Sequence, residues 1–321
     1  MQRVLVTGGA GFIGANIVRL LMREVVDDVV VLDNFSSGHR TNLDGLGIRV
    51  IEGDVRDAGA VSEAMRGRDT VFHLAASVGN ARSIAHPLED AQINVLGTLT
   101  VLEAARRQGV DKLVYSSSAG IFGELKTLPI AEDHSLDPDS PYGCTKLAGE
   151  KLCLSYAKLY PMACVCLRYF NVYGPRQRAG SGGGLVANIV EALGQGRLLA
   201  DCDERSAEDF LYVDDAVVAT LAAGRAPRAA GRIINVGSGK LVSIGDLLVM
   251  LGNLLQTSTK ARMRLHPESG PHQICARMSL AAELLDFEPR VSLVDGLARL
   301  VRFMTESQHV EPHVLAQVGP E

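Results

Sequence analysis

No apolar run in the sequence reaches the roughly 18 residues that a membrane-spanning helix needs. The opening stretch, MQRVLVTGGAGFIG, sets a basic residue before apolar ones as a secretory leader does. Its apolar run is short and broken by glycines, so it reads as a first β-strand and turn. An excess of one charge is also missing. The formal net charge is −5, with acids and bases spread along the whole length, so neither a nucleic acid nor a membrane surface is an expected partner. The six cysteines, at 144, 153, 164, 166, 202 and 275, form no C-x-x-C, and no Cys/His cluster has zinc-finger spacing. No metal site is expected, and the pattern suits reduced thiols in a cytoplasmic protein. There is no internal repeat.

What is present is an alternation of short β-branched runs with longer helical patterns, the signature of parallel βαβ units. Strands are expected at Val4–Thr7, Val29–Asp33, Val50–Glu52, Thr70–Leu74, Leu113–Ser116 and Met162–Arg168. Helices are expected at Phe12–Arg23, at Ala91–Gln108, whose apolar positions 93, 96, 99, 102 and 105 share one face, and at Pro141–Leu159. This is an α/β rhythm, that of a doubly wound parallel sheet. It breaks after Tyr173-Gly174-Pro175. Residues 1–174 are expected to form the nucleotide-binding domain, with sheet-completing segments near 210–240, and residues 175–321 mostly a smaller α/β lobe. In that lobe helices are expected near 185–194, 243–255 and 279–286, a strand at Ile233–Val236, and a frayed tail beyond about 307.

The first turn reads T-G-G-A-G-F-I-G, with Gly8, Gly11 and Gly14 spaced G-x-x-G-x-x-G between a strand and a helix. There glycine lets the backbone approach a pyrophosphate, and the helix N-terminus supplies donors. The plain alternative is a tight β–α turn. Asp33 closes the second strand about 20 residues on, where an acid accepts ribose hydroxyls and repels a 2′-phosphate, which favours NAD. His39 and Arg40 keep NADP open. Asp54, at the third strand's end, is either an adenine contact or a helix cap.

Further on, Tyr142 and Lys146 stand one helical turn apart. A phenol has a reference pKa near 10, and lowering it by about three units takes about 4 kcal/mol of differential stabilisation. A lysine on the same helix face is one source of that. Taken alone, such a pair is usually solvated surface.

The glycine turn and Y-x-x-x-K together resemble the extended short-chain dehydrogenase/reductase superfamily. The stretches HLAA (73–76), YSSSAGIFG (115–123), SPYGCTK (140–146), RYFNVYGPRQ (168–177), DFLYVDD (209–215) and NVGSG (235–239) narrow the resemblance to its nucleotide-sugar epimerase/dehydratase branch, over residues 3 to 302. The resemblance implies a modified Rossmann fold holding NAD, a small substrate lobe and a homodimer built from helices matching Asn94–Gln108 and Tyr142–Leu159. It implies Tyr142 as catalytic base, Lys146 as the partner that lowers its pKa, and Ser118 as the hydroxyl that bonds the reacting sugar and relays its proton. Ser117 is the alternative to Ser118. Cofactor contacts are implied at Phe12 and Ile13 beside Gly8, Gly11 and Gly14, at Asp33, Asn34, Ser37 and Gly38, at Asp54 and Val55, at Leu74, Ala75 and Ala76, and at Ser116 and Tyr169 as well as Tyr142 and Lys146. Substrate contacts are implied at Arg82, Ser83, Ser118 and Asn171.

After Ser118 come Ala119-Gly120-Ile121, with no proton-transfer group. Relatives that dehydrate the sugar carry an acid pair there, and elimination of water needs a general acid and a general base. Oxidation and re-reduction at one carbon needs only Tyr142, Ser118 and NAD. The sequence is therefore read as resembling a 4-epimerase of a nucleotide-diphosphate sugar. The alternative is a reductase, dehydrogenase or dehydratase acting on an atypical substrate. Two departures keep that alternative open. Relatives carry phosphate-binding arginines where this chain has Glu208 and, in a second stretch, Glu268-Ser269-Gly270-Pro271. Arg176, Arg178, Arg205, His272 and Arg277 are candidate replacement cations, and Cys275 falls near a position that limits pocket size in 4-epimerases.

Overall fold

The computed structural model describes residues 1–24, 26–123, 125–180, 183–197, 203–257 and 272–308. Glu268 and the tail beyond 308 lie outside the described residues.

Strands β1 (Arg3–Thr7), β2 (Asp28–Asp33), β3 (Arg49–Glu52), β4 (Thr70–His73), β5 (Lys112–Ser118) and β6 (Ala163–Tyr169) lie parallel. Two short strands, β7 (Asn171–Tyr173) and β9 (Phe210–Tyr212), pair with each other, and β8 (Ala207–Glu208) lies between them in sequence. Strand β10 (Ile233–Val236) returns to the main sheet beside β6, giving the order β10-β6-β5-β4-β1-β2-β3. In a separate three-stranded sheet β8 is flanked by β11 (Val242–Ser243) and β12 (Gln273–Ile274).

The helices are α1 (Phe12–Arg23), α2 (Ala58–Met65), α3 (Asn80–Ala85), α4 (Pro87–Ala91), α5 (Thr98–Arg107) and α6 (Pro141–Leu159), followed by α7 (Leu185–Gly194), α8 (Val213–Arg225), α9 (Ile244–Leu255), α10 (Ser279–Leu285) and α11 (Leu293–Gln308). Among the described residues no helix is long and apolar enough to cross a membrane.

Period-two alternation sorts the central strands into two cores. Val4, Val6, Val29 and Val31 face one way, with Ile17 and Leu21 of α1 and Val217 and Leu221 of α8. Leu5, Val30 and Leu32 face the other, with Met65 of α2, Leu102 of α5 and Cys153 of α6. Covering both faces is why these strands read as continuous apolar runs.

Helix α6 begins where its sequence says it should. The Ser140 hydroxyl accepts from the Gly143 amide (3.2 Å), and Pro141 occupies the first turn, where no amide donor is needed. The expected single helix over 91–108 is different. A π turn at Gln92–Gly97 separates α4 from α5. Inside it Asn94 donates to Ser77 O (3.0 Å), Asp90 Oδ2 (3.1 Å) and Thr145 Oγ1 (3.1 Å), while its own Oδ1 accepts from the Ser77 amide (2.8 Å). These tertiary bonds offset the wider turn. The sequence reading also left α2, α3, α8 and α11 unnamed.

Candidate active site

Chain order reverses between β1 and β4, and a cleft of about 690 Å³ opens at the carboxyl ends of the strands there. One end is floored by the glycine turn. Gly8 has φ +69°, and a Cβ on it would lie 2.7 Å from the Ala75 amide nitrogen. A Cβ on Gly14 would lie 2.2 Å from the Gly8 carbonyl oxygen. The turn is therefore packed to backbone contact. No side chain caps α1, and its first turn carries no acid. Phe12 and Ile13 line the cleft there, so the amides of that turn are left for an anion. This is a cradle of the kind a dinucleotide's pyrophosphate requires.

Asp33 sits buried at the end of β2 and lines the same cleft. It accepts from the Ala10 amide (2.9 Å) and the Phe35 amide (2.8 Å), and burial nonetheless raises its pKa. Its oxygens keep lone pairs for ribose hydroxyls. Arg40, one of the two residues that kept a 2′-phosphate open, is paired with Glu52 and stacked 4.0 Å over the Phe35 ring.

Asp54 takes the Arg56 guanidinium at both oxygens (2.8 Å each) and the Asn34 carboxamide (2.8 Å). The hydrogen bond from Arg56 holds its pKa down at about 2. The helix cap that Asp54 could have supplied is made by Asp57, which accepts from the Gly59 amide (2.8 Å). Asn34, Ser37, Val55, Leu74, Ala75 and Ala76 also line the cleft. Gly38 does not: it packs beneath Ala10, where a Cβ would lie 2.7 Å from the Ala10 carbonyl carbon.

The other end holds Ser116, Ser117, Ser118, Tyr142 and Lys146. Ser118 Oγ accepts from the Gly120 amide (3.1 Å). A methyl on Gly120 would touch both Ser118 Oγ (3.4 Å) and the Tyr142 ring (3.7 Å), so the two side chains converge over that residue. Ser117, the alternative, turns its hydroxyl beneath the sheet end and donates to Glu150 Oε2 (3.0 Å).

Burial raises the Tyr142 phenol above its usual value; the bond to Ser118 opposes this and the Asp90 charge adds to it. Burial brings Lys146 down to about 8, against the pull of Cys153, Asp90, Cys166 and Glu150. The expected lowering of Tyr142 by Lys146 is therefore not what the protein's own groups produce. Desolvation dominates the phenol, and the ammonium lies 4.6 Å over the Tyr115 ring.

His73, at the end of β4, is a buried structural residue. Thr98 donates its only hydroxyl proton to Asn94 O (2.7 Å), so it accepts from His73 Nε2 (3.0 Å), and His73 Nδ1 accepts from Thr7 Oγ1 (2.7 Å). The ring is neutral, and burial lowers its pKa to about 3.

On the substrate side, Asn171 lines the cleft at the start of β7. Its amide donates to Asp209 O (3.1 Å). Arg82 is at the lip and pairs with Glu89 (3.2 Å). Ser83 faces inward: it is fully buried, donates to Asn80 O (2.9 Å) and does not line the cleft. One residue along α3 turns a side chain by about 100°, which separates these neighbours. Tyr169 lines the cleft and shares a hydrogen bond with Thr220 (2.6 Å); Phe170 lies beside it.

Arg176 and Arg178 come from the loop after β7. Arg176, at φ +74°, donates to Asn16 Oδ1 (2.8 Å), and Arg178 donates to Ser37 O (3.1 Å), so the loop is tied to the opposite wall. Arg205 is paired with Asp203 and His272 with Glu208 (3.0 Å). Glu208 is buried, and it and Cys275 are absent from the cleft lining; the hydrogen bond that His272 donates to Glu208 raises the pKa of His272. The sequence reading missed Ser77, Ile93 and Leu185 of the lining, none of which carries a local motif, and Gln177, which closes the RYFNVYGPRQ stretch. Among the described residues no three His, Cys, Asp or Glu side chains converge to hold a metal ion, and the five described cysteines are free.

Residues 4–237 match the model of the NAD dependent epimerase/dehydratase family. The UDP-glucose 4-epimerase of Mycolicibacterium smegmatis is 36% identical, the alignment covering 94% of this chain and 98% of that one. Among solved structures, UDP-glucose 4-epimerase from Thermotoga maritima with UDP-glucose superposes with a TM-score of 0.90 at 32% identity, over 95% of this chain and 99% of that one. The Thermus thermophilus UDP-glucose 4-epimerase complex with NAD gives a TM-score of 0.85 at 32% identity, over 94% and 99%.

Proposed function

The chain belongs to the NAD-dependent epimerase/dehydratase family, with NAD as its cofactor, and we propose that it interconverts a nucleotide-diphosphate sugar and its epimer at carbon 4 through a 4-keto sugar. The observation that carries this is the convergence of Ser118 and Tyr142 over Gly120, with only Ala119, Gly120 and Ile121 following Ser118. Transient oxidation at one carbon needs one acid–base residue, and dehydration needs more.

Bound NAD supplies the acceptor, and then the donor, of a hydride. Tyr142, as phenolate, takes the proton of the sugar hydroxyl and gives it back on the return step. Ser118 bonds the same hydroxyl and fixes its distance from Tyr142. Lys146 remains mostly protonated at pH 7 with its pKa at about 8, and its charge, joined by that of bound NAD, works against the burial that raises Tyr142. The cleft-lining amides of α1 hold the pyrophosphate, and Asp33 the adenosine ribose. Asn171, in the cleft lining, holds the substrate diphosphate. Exposed Leu88, Leu96 and Leu159 lie on or beside the helices expected to pair in a homodimer, a state that light scattering would report as twice the chain mass.

The test is a panel of UDP-, GDP-, dTDP-, CDP- and ADP-sugars incubated with the purified protein. The expected result is an epimer formed with no net reduction of NAD, abolished in Tyr142→Phe while NAD stays bound. Stoichiometric consumption of added cofactor would instead favour a dehydrogenase or reductase.

A further inference from the structure

Beneath Ser118, Tyr142 and Lys146 lies an ion pair with no contact to solvent. Glu150 is 0% exposed and Arg168 1%. Arg168 Nη2 donates to Glu150 Oε1 (2.8 Å) and Nε to Oε2 (3.1 Å), a bidentate fork. The remaining Nη1 donates to Glu132 O (2.7 Å). Ser117 completes the set by donating to Glu150 Oε2 (3.0 Å).

The placement of these four groups is specific. Ser117 and Arg168 are directly paired across β5 and β6, and the next residues along those strands are Ser118 and Tyr169, both in the cleft. Glu150 lies one helical turn beyond Lys146 and two beyond Tyr142, on the same side of α6. Glu132 belongs to the segment between Ile121 and α6, and its carboxylate accepts the Asn235 amide of β10 (2.9 Å). One carboxylate thus bridges the catalytic helix, both strand ends and, through Arg168, the segment that leads into that helix.

Burying two charges costs several kcal/mol of desolvation, and well-packed apolar side chains of similar volume often serve stability equally well. What apolar side chains do not supply is direction. Two parallel hydrogen bonds and a third from Ser117 fix the rotation of α6 about its axis and its height over β5. We infer that Glu150 and Arg168 are positioning residues that set the distance between the Tyr142 phenol and the Ser118 hydroxyl. This rests on the reading of Tyr142 and Ser118 given above.

The experiment uses the NAD-bound protein and the double variant Glu150→Met/Arg168→Met, which removes both charges and keeps the volume. Two readouts are taken: steady-state kinetics on the nucleotide sugar, and tyrosinate absorbance against pH without substrate, corrected with Tyr142→Phe. The expected result is a folded, NAD-bound protein whose kcat is lowered about 10- to 100-fold with KM within about twofold, and whose Tyr142 titration is displaced. Wild-type kcat and wild-type titration in a folded double variant would overturn the proposal. If the double variant does not fold, Ser117→Ala decides the matter, since it leaves the ion pair intact and removes only its link to β5. A lowered kcat with a displaced titration supports the positioning role, and no change in either overturns it. The titration needs no substrate, so it reports on positioning even if the wild-type protein epimerises no sugar offered, which would overturn only the function proposed above.

Discussion

The ammonium of Lys146 lies 4.6 Å from the centroid of the buried Tyr115 ring. A cation over an aromatic face is stabilised without being neutralised. Its charge therefore persists inside the protein, but burial has brought its pKa to about 8. The expected outcome is that kcat/KM declines above pH about 8 as this charge is lost. Lys146→Met should lower turnover about 100-fold or more and remove that alkaline limb. Paired pH–rate profiles of the two proteins check this.

Gly14→Ala places a methyl 2.2 Å from the Gly8 carbonyl oxygen, a backbone atom that cannot rotate away. A cost of about 1–3 kcal/mol is expected, together with loss of co-purifying NAD. Gly194→Ala, at the end of α7, meets nothing within 4 Å and serves as the control; it should be neutral or slightly stabilising. Thermal melts and the absorbance of bound cofactor separate the two.

His73 is buried and neutral, with its pKa at about 3, while the unfolded chain takes up the proton near pH 6.5. For a depressed histidine pKa, the unfolded state binds the extra proton as pH falls below 6.5, so stability is lost progressively between about 6.5 and about 3. The loss should be about 2 kcal/mol at pH 5. In His73→Gln the fall in melting temperature between pH 7 and pH 5 should be smaller than in the parent, even though the variant starts from a lower value.

Arg178 ties the loop after β7 to Ser37 by one hydrogen bond across the cleft. Removing a bond of this kind costs about 0.5–1.5 kcal/mol. In Arg178→Ala, NAD should therefore leave roughly two- to tenfold faster, measured as loss of bound cofactor after dilution into excess competing nucleotide.

The parts of the fold that were legible in the sequence are those with local causes. The glycine turn placed α1, the Ser140-Pro141 start placed α6, and β-branched runs placed the six parallel strands to within one or two residues. The cleft lining followed from the same motifs, because a doubly wound sheet puts its motif-bearing turns at one edge. What was not legible depends on distance in sequence or on helix phase. Ser83 points inward because α3 presents Arg82 to the lip and turns its neighbour into the core. The bond between Glu150 and Arg168 spans 18 residues and leaves no pattern. The direction of the Tyr142 shift depends on burial, which a spacing of four residues does not reveal.

The π turn at Gln92–Gly97 has a consequence for how the chain can change length. Surface loops tolerate insertions and deletions because nothing downstream is phased by them. Here each residue sets the rotation of the helix that follows, about 100° per position. Deleting one would swing Val101, Leu102 and Ala105 out of the core and break the bond from Tyr156 to Glu103 Oε1 (2.6 Å). Length variants of this protein should accumulate in the segments between elements, while the stretch from Pro87 to Arg107 keeps a fixed residue count.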